Sequence, residues 1–396
     1  KFSTSEGRAL CRRIICARVP FDPHDYQLDG ITHALDKTDL LAITPTGSGK
    51  TGFLTMYLLV MQAVMRRPSL CPQPPPEHFR RRAAMVVVCP TMALQGDMVP
   101  KFSAVGLRPL VINKNTLDEG LRSKNSNLWS AASDYDALII APEQLTSKGF
   151  ENLLKVPSYQ SRVVAIGVDE AHLLNTWGKT FRQDFQHIGP LRARFNHSPV
   201  LIALTATLRG ASVTDRREAS PFRSVCNSLG LHEGYFHVLR RSNARHDLQF
   251  DLRMMKSSAS STSFPELDWV LAAPRNILIF CRTIKFTHQI QSYLTSKLSS
   301  GQASSATQSE RVRSYHSLNW ESYNTATLAR LRSSQGHLVV LATDALSIGI
   351  DVREVDDVII FEGALPDDLE SLLQKAGRVR DGREKGSRLI VYLPQN

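Results

Sequence analysis

Short apolar runs rich in β-branched residues recur along this chain, separated by longer stretches with helical periodicity. That alternation constrains the fold more than any other feature. A strand that is apolar without a break must be covered on both faces, and the covering comes from the helices flanking it in sequence. In the first half the runs predict strands at 40–44, 85–89, 109–112, 137–141, 163–168 and 200–204. In the second half they predict strands at 248–252, 277–281, 312–315, 338–342, 358–361 and 389–392. Two sets of six imply an α/β fold with two mainly parallel sheets, each with helices on both faces.

Composition agrees with such a chain and excludes several others. At 396 residues it has room for two or three domains, and 42% hydrophobic with 21% charged residues rules out wholesale disorder. The longest apolar stretch, 54–65, has 12 residues, whereas a bilayer span needs about 20, so no membrane partner is expected. The N-terminus has no signal-peptide core and no initiating Met, which suggests a piece of something longer. Six cysteines show no CxxC pair and no His at ligand spacing. That argues against a zinc site or a disulfide framework and makes reduced intracellular thiols the default.

The charge is lopsided. Residues 1–243 hold 30 Lys and Arg against 20 Asp and Glu, while residues 244–396 hold 18 against 17. A polyanion partner and a merely solubilising basic surface both account for that excess. Polar stretches punctuate the chain at 66–82 (Pro-rich with basic ends), 256–263 (Ser-rich) and 299–309. The domain boundary is expected near 241–244, giving domains at 1–243 and 244–396.

The strongest local signal is Thr44-Pro-Thr46-Gly47-Ser48-Gly49-Lys50-Thr51, placed between a strand and an apolar helix. Backbone N–H groups of such a loop, with the helix start behind them, wrap a phosphate chain; Lys50 neutralises it and Thr51 can hold Mg²⁺. The full phosphate-loop pattern has Gly where Thr44 stands. Downstream, the 163–168 run leads straight into Asp169-Glu170-Ala171-His172. A carboxylate at the end of a buried parallel strand suits Asp169 to Mg²⁺, and Glu170 can orient and deprotonate an attacking water. Together with the loop, these acids make an ATP-hydrolysis constellation.

With these residues in place, the chain resembles the superfamily 2 helicases, and among them the RecQ-like DNA helicases. The segment 86–99, containing Thr91, resembles the motif that touches the nucleic-acid backbone, and Ala141-Pro142-Glu143-Gln144-Leu145 resembles the motif after it. Thr205-Ala206-Thr207 matches the motif that couples hydrolysis to unwinding. The second half supplies 277–281, Tyr315-His316, Ala342-Thr343 with Gly349-Ile350-Asp351, and a final motif from Gln374 to Gly382. The RecQ resemblance rests mainly on LLNTWGKTFRQDF, where Trp177, Gly178, Phe181, Arg182, Asp184 and Phe185 stand in the family's register. Aromatic faces there can stack on single-strand bases, and Arg182 can pair with phosphate. Gln27 lies upstream of the loop, as the family's adenine-reading Gln does, although Phe21 precedes it by six residues rather than four.

The resemblance implies two tandem RecA-like domains with ATP and Mg²⁺ between them, and single-stranded or partly duplex DNA as partner. It further implies 3′-to-5′ movement and a nuclear or other DNA-containing compartment. The implied catalytic set is Lys50, Asp169, Glu170, His172, Gln374, Arg378 and Arg380. The implied nucleotide contacts are Gln27, Thr46 to Thr51, Gly349 and Asp351, and the implied strand contacts are Thr91, Trp177, Phe181 and Arg182. An RNA helicase on the same architecture stays open, because the 2′-hydroxyl contacts that would decide are not readable in sequence.

One departure matters. The family's final motif reads Gln-x-x-Gly-Arg-x-Gly-Arg-x-Gly, whereas here Gly377-Arg378-Val379-Arg380-Asp381-Gly382 is one residue short between the arginines. On a helix that deletion turns everything after it by about 100°. A nucleotide- and DNA-binding protein with impaired hydrolysis is therefore a third reading.

Overall fold

The strands of the first unit are β1 (Asp39–Ile43), β2 (Ala84–Val88), β3 (Pro109–Ile112), β4 (Ala137–Ile140), β5 (Val163–Val168), β6 (Val200–Thr205) and β7 (Phe236–Arg240). The second unit contributes β8 (Leu248–Met254), β9 (Ile277–Phe280), β10 (Val312–Tyr315), β11 (Val339–Ala342), β12 (Asp357–Ile360) and β13 (Ser387–Leu393). The computed structural model describes the chain except residues 123–126, 177–182, 210–219, 259, 300–309, 334–336, 347–353, 364–368, 380–385 and 395–396. Its contacts separate into two units, Lys1–Ser242 and Asn243–Asn396.

In the first unit the strands lie in the order β3-β4-β2-β5-β6-β1-β7, and every neighbouring pair is parallel. The second sheet runs β10-β11-β9-β12-β13-β8, again parallel throughout. The twelve expected strands all form. β7 joins them as an unforeseen seventh strand of the first sheet; its sequence, FHVLR, has no continuous apolar run because it sits at a sheet edge and buries only Leu239 fully.

Strand alternation divides the second unit's core in two. Ile277 and Ile279 of β9 pack on one side with Phe286, Ile290 and Leu294 of the helix Ile284–Ser299. Leu278 and Phe280 pack on the other with Leu331 and Ala376 from two further helices. Successive side chains point to opposite faces of a strand, so an unbroken ILIF run needs helices on both. In the first unit the helix Thr51–Arg66 is buried nearly all round. Its one interior amide, Gln62, is satisfied there, donating to Ala83 O at 3.0 Å and to Asp136 Oδ1 at 3.1 Å. Gly167 in β5 lets this helix close on the sheet, since a Cβ there would stand 2.9 Å from Leu54 Cδ2.

A candidate nucleotide site at the strand ends of the first unit

Because all seven strands are parallel, their C-terminal ends share one edge of the sheet, where ligands of open α/β sheets bind. Thr46–Lys50 follow β1, Thr91 follows β2, Pro142 follows β4, Asp169–His172 follow β5 and Thr205 ends β6. The strand order puts β5, β6 and β1 side by side, with β2 and β4 beyond β5. The loop, the paired carboxylates and Thr205 therefore converge, while Thr91 and Pro142 occupy the other half of the same edge.

The loop is tied down from several sides. Thr44 N donates to Thr205 O at 3.0 Å, continuing the β1–β6 ladder by one residue. Gly47 and Gly49 turn with φ of +84° and +78°, angles that side chains rarely tolerate. Thr44, the departure from the loop pattern, is fully buried, and its Oγ1 accepts a hydrogen bond from Ser48 Oγ at 2.9 Å. The hydroxyl thus bridges the loop where the usual Gly could make no such bond. Lys50 occupies the cap position of the helix that Thr51 begins.

Gln27 is buried, and its amide is engaged with this loop: Nε2 donates to Gly49 O at 3.1 Å, and Oε1 accepts from His24 N at 3.1 Å. Tyr26 next to it donates to Ser48 O at 2.6 Å, while the Arg241 guanidinium lies over its ring at 5.2 Å. Sequence reasoning missed Tyr26 and Arg241. Their only signal was adjacency to Gln27 and to the expected domain boundary.

The carboxylates share a tight turn. Glu170 takes φ of +49°, unusual for a non-glycine residue and worth roughly 1–2 kcal/mol of strain. Such outliers gather at functional sites. Ala171 N donating to Leu204 O at 2.9 Å and Leu173 N to Glu170 O at 2.9 Å hold the turn. Glu170 is 6% exposed, and among the described residues its Oε2 has no hydrogen-bond partner. His172 Nδ1 stands 3.4 Å from that oxygen and 2.9 Å from Thr205 Oγ1. Thr205 spends its only hydroxyl proton on Thr207 O at 2.9 Å, so it must accept from His172, and the imidazole carries its proton on Nδ1. The His172–Thr205 bond thus ties this turn to β6, with Glu170 Oε2 close to the same nitrogen.

Burial, and then the Glu170 charge, push the Asp169 carboxyl up to about 7; the Lys50 ammonium draws it partly back. The folded chain therefore holds this proton through a range in which the unfolded chain has released it. Stability is lost as pH rises from about 4 to about 7, and the full cost persists above that. Asp169→Asn should raise the thermal midpoint at pH 8 in magnesium-free buffer, by about 2–4 °C for each kcal/mol relieved. The gain should shrink toward pH 4. An equal shift at both pH values, read by calorimetry, would contradict this assignment.

Elsewhere, Thr91 acts as a helix cap, its Oγ1 accepting from Leu94 N at 3.3 Å. Trp177, Phe181, Arg182, Gly349, Asp351 and Arg380 lie outside the described residues. Phe185, in register with the aromatic loop, is a core residue beside Ile188 and Leu191. In the second unit Gln374 is half-buried near the end of the helix Leu369–Ala376, and Arg378 follows it at 4% exposure. Between them Lys375, to which sequence reasoning gave no role, pairs with Glu362 and, at 3.0 Å, with Asp344. Burial alone would depress its ammonium, but Asp344 and Glu362 outweigh that and raise it. The pairing ties the final motif's helix to the residues after β11 and β12.

The DEAD/DEAH box helicase family model matches residues 24–215, and the helicase conserved C-terminal domain matches residues 264–382. The chain is 28% identical over 370 residues to the probable ATP-dependent DNA helicase RecS of Bacillus subtilis, covering 92% of this chain and 63% of that protein. It is 26% identical over 370 residues to the ATP-dependent DNA helicase RecQ of Haemophilus influenzae, covering 93% and 51%. It spans about half to two-thirds of these relatives' length. Among solved structures, helicase MrfA bound to DNA and AMPPNP superposes with a TM-score of 0.71 at 17% identity, covering 98% of this chain and 50% of that one. The DEAD-box helicase Mss116 bound to single-stranded RNA and UDP-BeF superposes at 0.66 and 16% identity, covering 99% and 74%. At such identities these two show the fold alone: tandem RecA-like domains. With two helicase models along most of residues 24–382 and RecQ-type proteins aligned over more than nine-tenths of it, the chain belongs to the superfamily 2 helicases, in their RecQ-like branch.

Proposed function

We propose that this chain is the ATP-driven motor core of a RecQ-like DNA helicase, moving 3′ to 5′ along single-stranded DNA and opening duplex ahead of it. The observation that carries the reading is the convergence of the Thr44–Thr51 loop, the Asp169–Glu170 pair and the His172–Thr205 bond on three adjacent strand ends. Backbone groups of Thr46 to Gly49 wrap the nucleotide phosphates and Lys50 neutralises them. Gln27, already bonded to the loop backbone, has a second amide N–H to offer adenine. Gln374, Arg378 and Arg380 of the second unit, with Gly349 and Asp351, are assigned to the same reaction by the family resemblance.

Asp169 and Thr51 would hold Mg²⁺. The donor set fits: a carboxyl raised by burial and by a neighbouring carboxylate gains most from a nearby cation. The ion's contribution is charge neutralisation on the phosphates. Glu170 orients and deprotonates the attacking water, for which its unpartnered buried Oε2 is suited. His172, bonded to Thr205 at the end of β6, then links the Asp169–His172 turn to the Thr205–Thr207 segment, which the family resemblance assigns to coupling. Thr91 lies in the other half of the edge, and the family resemblance assigns it, with Trp177, Phe181 and Arg182, to the DNA strand.

The excess of ten basic residues within 1–243 gives the strand-binding claim a test. Affinity for a single-stranded DNA oligonucleotide, read by fluorescence anisotropy, should fall linearly with salt on logarithmic axes, with a slope of about −0.7 per phosphate neutralised. An RNA of the same sequence should bind more weakly. Salt-independent binding would return the charge to solubility, and preference for RNA would favour the RNA-helicase reading.

A further inference from the structure

A second group of chemistry-bearing side chains lies away from the phosphate loop. Asp29 and His33 are four apart on the helix Asp25–Leu35, and so share one of its faces. That helix packs against β7, and His237 comes from β7 on the same side as the buried Leu239. The three ligand atoms lie within 4.8 Å of one another. The His237 Nε2–H donates to Asp29 Oδ2 at 2.7 Å, and His33 Nε2 stands 3.9 Å from Asp29 Oδ1. The two imidazoles are stacked, 4.0 Å between centroids and 12° between planes. Arg8 from the N-terminal helix donates to Oδ1.

We propose that Asp29, His33 and His237 form a binding site for a zinc-like divalent transition metal that fastens edge strand β7 to the helix Asp25–Leu35. Two imidazoles and one carboxylate are a borderline donor set, suited to zinc rather than to magnesium or calcium. A tetrahedral ion needs its ligand atoms about 3.3 Å apart at bond lengths near 2.0–2.1 Å. The present spread closes to that by side-chain rotation. The side chains keep 25–30% of their exposure, so water can take the fourth position.

Arg8 is the competitor. Its side chain is 41% exposed and able to swing away, leaving Asp29 to the metal. Sequence spacing does not reveal the site, because its ligands are two histidines 204 residues apart and a helix carboxylate. It would also brace the active half indirectly. The same helix carries Tyr26 and Gln27, which hold the phosphate loop, and β7 leads into Arg241 over the Tyr26 ring.

The test is calorimetric titration of the whole chain with zinc chloride after EDTA treatment. One equivalent should bind with a dissociation constant in the micromolar range or tighter. His33→Ala and His237→Ala should each weaken that by at least about 100-fold. Arg8→Ala should strengthen it. Zinc should raise the parent's thermal midpoint and leave those of the histidine variants unchanged. Circular dichroism in EDTA checks that the variants fold, and His33→Gln with His237→Gln replaces any that does not. The exposed Cys16 is present in every variant, so thiol background cancels. A parent that binds only at millimolar zinc, or histidine variants that bind as the parent does, would overturn the proposal and leave Asp29 as the partner of Arg8 and His237 alone.

Discussion

Glu170→Gln should reduce ATP turnover by about 10²–10⁴-fold, the usual contribution of a positioned general base, while nucleotide affinity stays within a few-fold of the parent. Glutamine keeps the volume of a side chain that is 6% exposed, so the turn should survive. It removes the carboxylate whose Oε2 has no partner, and with it the means to take a proton from water. It also removes the negative charge that helps push Asp169 up. Asp169 should therefore ionise more readily in the variant, and magnesium-dependent nucleotide binding should not weaken. Phosphate release and fluorescent-nucleotide titration measure the two halves separately. Parent-like turnover would remove Glu170 from the chemistry; lost binding with lost turnover would make it a structural member of the turn.

Lys50→Ala should lower turnover by at least about 10²-fold and weaken nucleotide binding as well. The two losses have different origins. The ammonium opposes phosphate charge in the bound state and in the transition state alike, so both binding and rate suffer. It also draws the Asp169 carboxyl downward, so its removal should leave Asp169 more firmly protonated at neutral pH. Raising the pH from 7 to 9 should therefore recover part of the variant's magnesium-dependent binding, and recover less in the parent. The fold should be indifferent, because Lys50 stands half-exposed at the helix start. An unchanged thermal midpoint with lost turnover is the expected pair of results; unchanged turnover would mean the loop is not the nucleotide site.

The sequence was most legible where burial is uniform. β5 and β10, buried at every position, match their expected bounds, and ILIF in β9 reads as a strand because both its faces meet helices; β3 also matches although only Ile112 of it is buried. β7 was not legible, since an edge strand needs no apolar run and FHVLR exposes most of its length. In the candidate site, the loop and the two carboxylates stood out because their chemistry is local in sequence. The residues that hold them did not. Thr44 departs from the loop pattern in sequence, yet its hydroxyl accepts the Ser48 bond. Tyr26 serves the loop through a backbone carbonyl, a contact that leaves no pattern. Lys375 is named by the final motif, but its two acidic partners, Asp344 and Glu362, come from different strand ends. Long-range pairing of this kind is set by topology, and single-sequence spacing does not carry it.

The strand-end site of the first unit is expected to hydrolyse ATP despite the shortened Arg378–Arg380 spacing. The most direct test is ATP turnover by the whole chain, with magnesium, as a function of added single-stranded DNA. Slow basal hydrolysis that rises several-fold and saturates with DNA, and that disappears in Glu170→Gln, is the predicted result. Tight nucleotide and DNA binding with no turnover at any DNA concentration would contradict it, and would make this chain a binder whose engine has stopped.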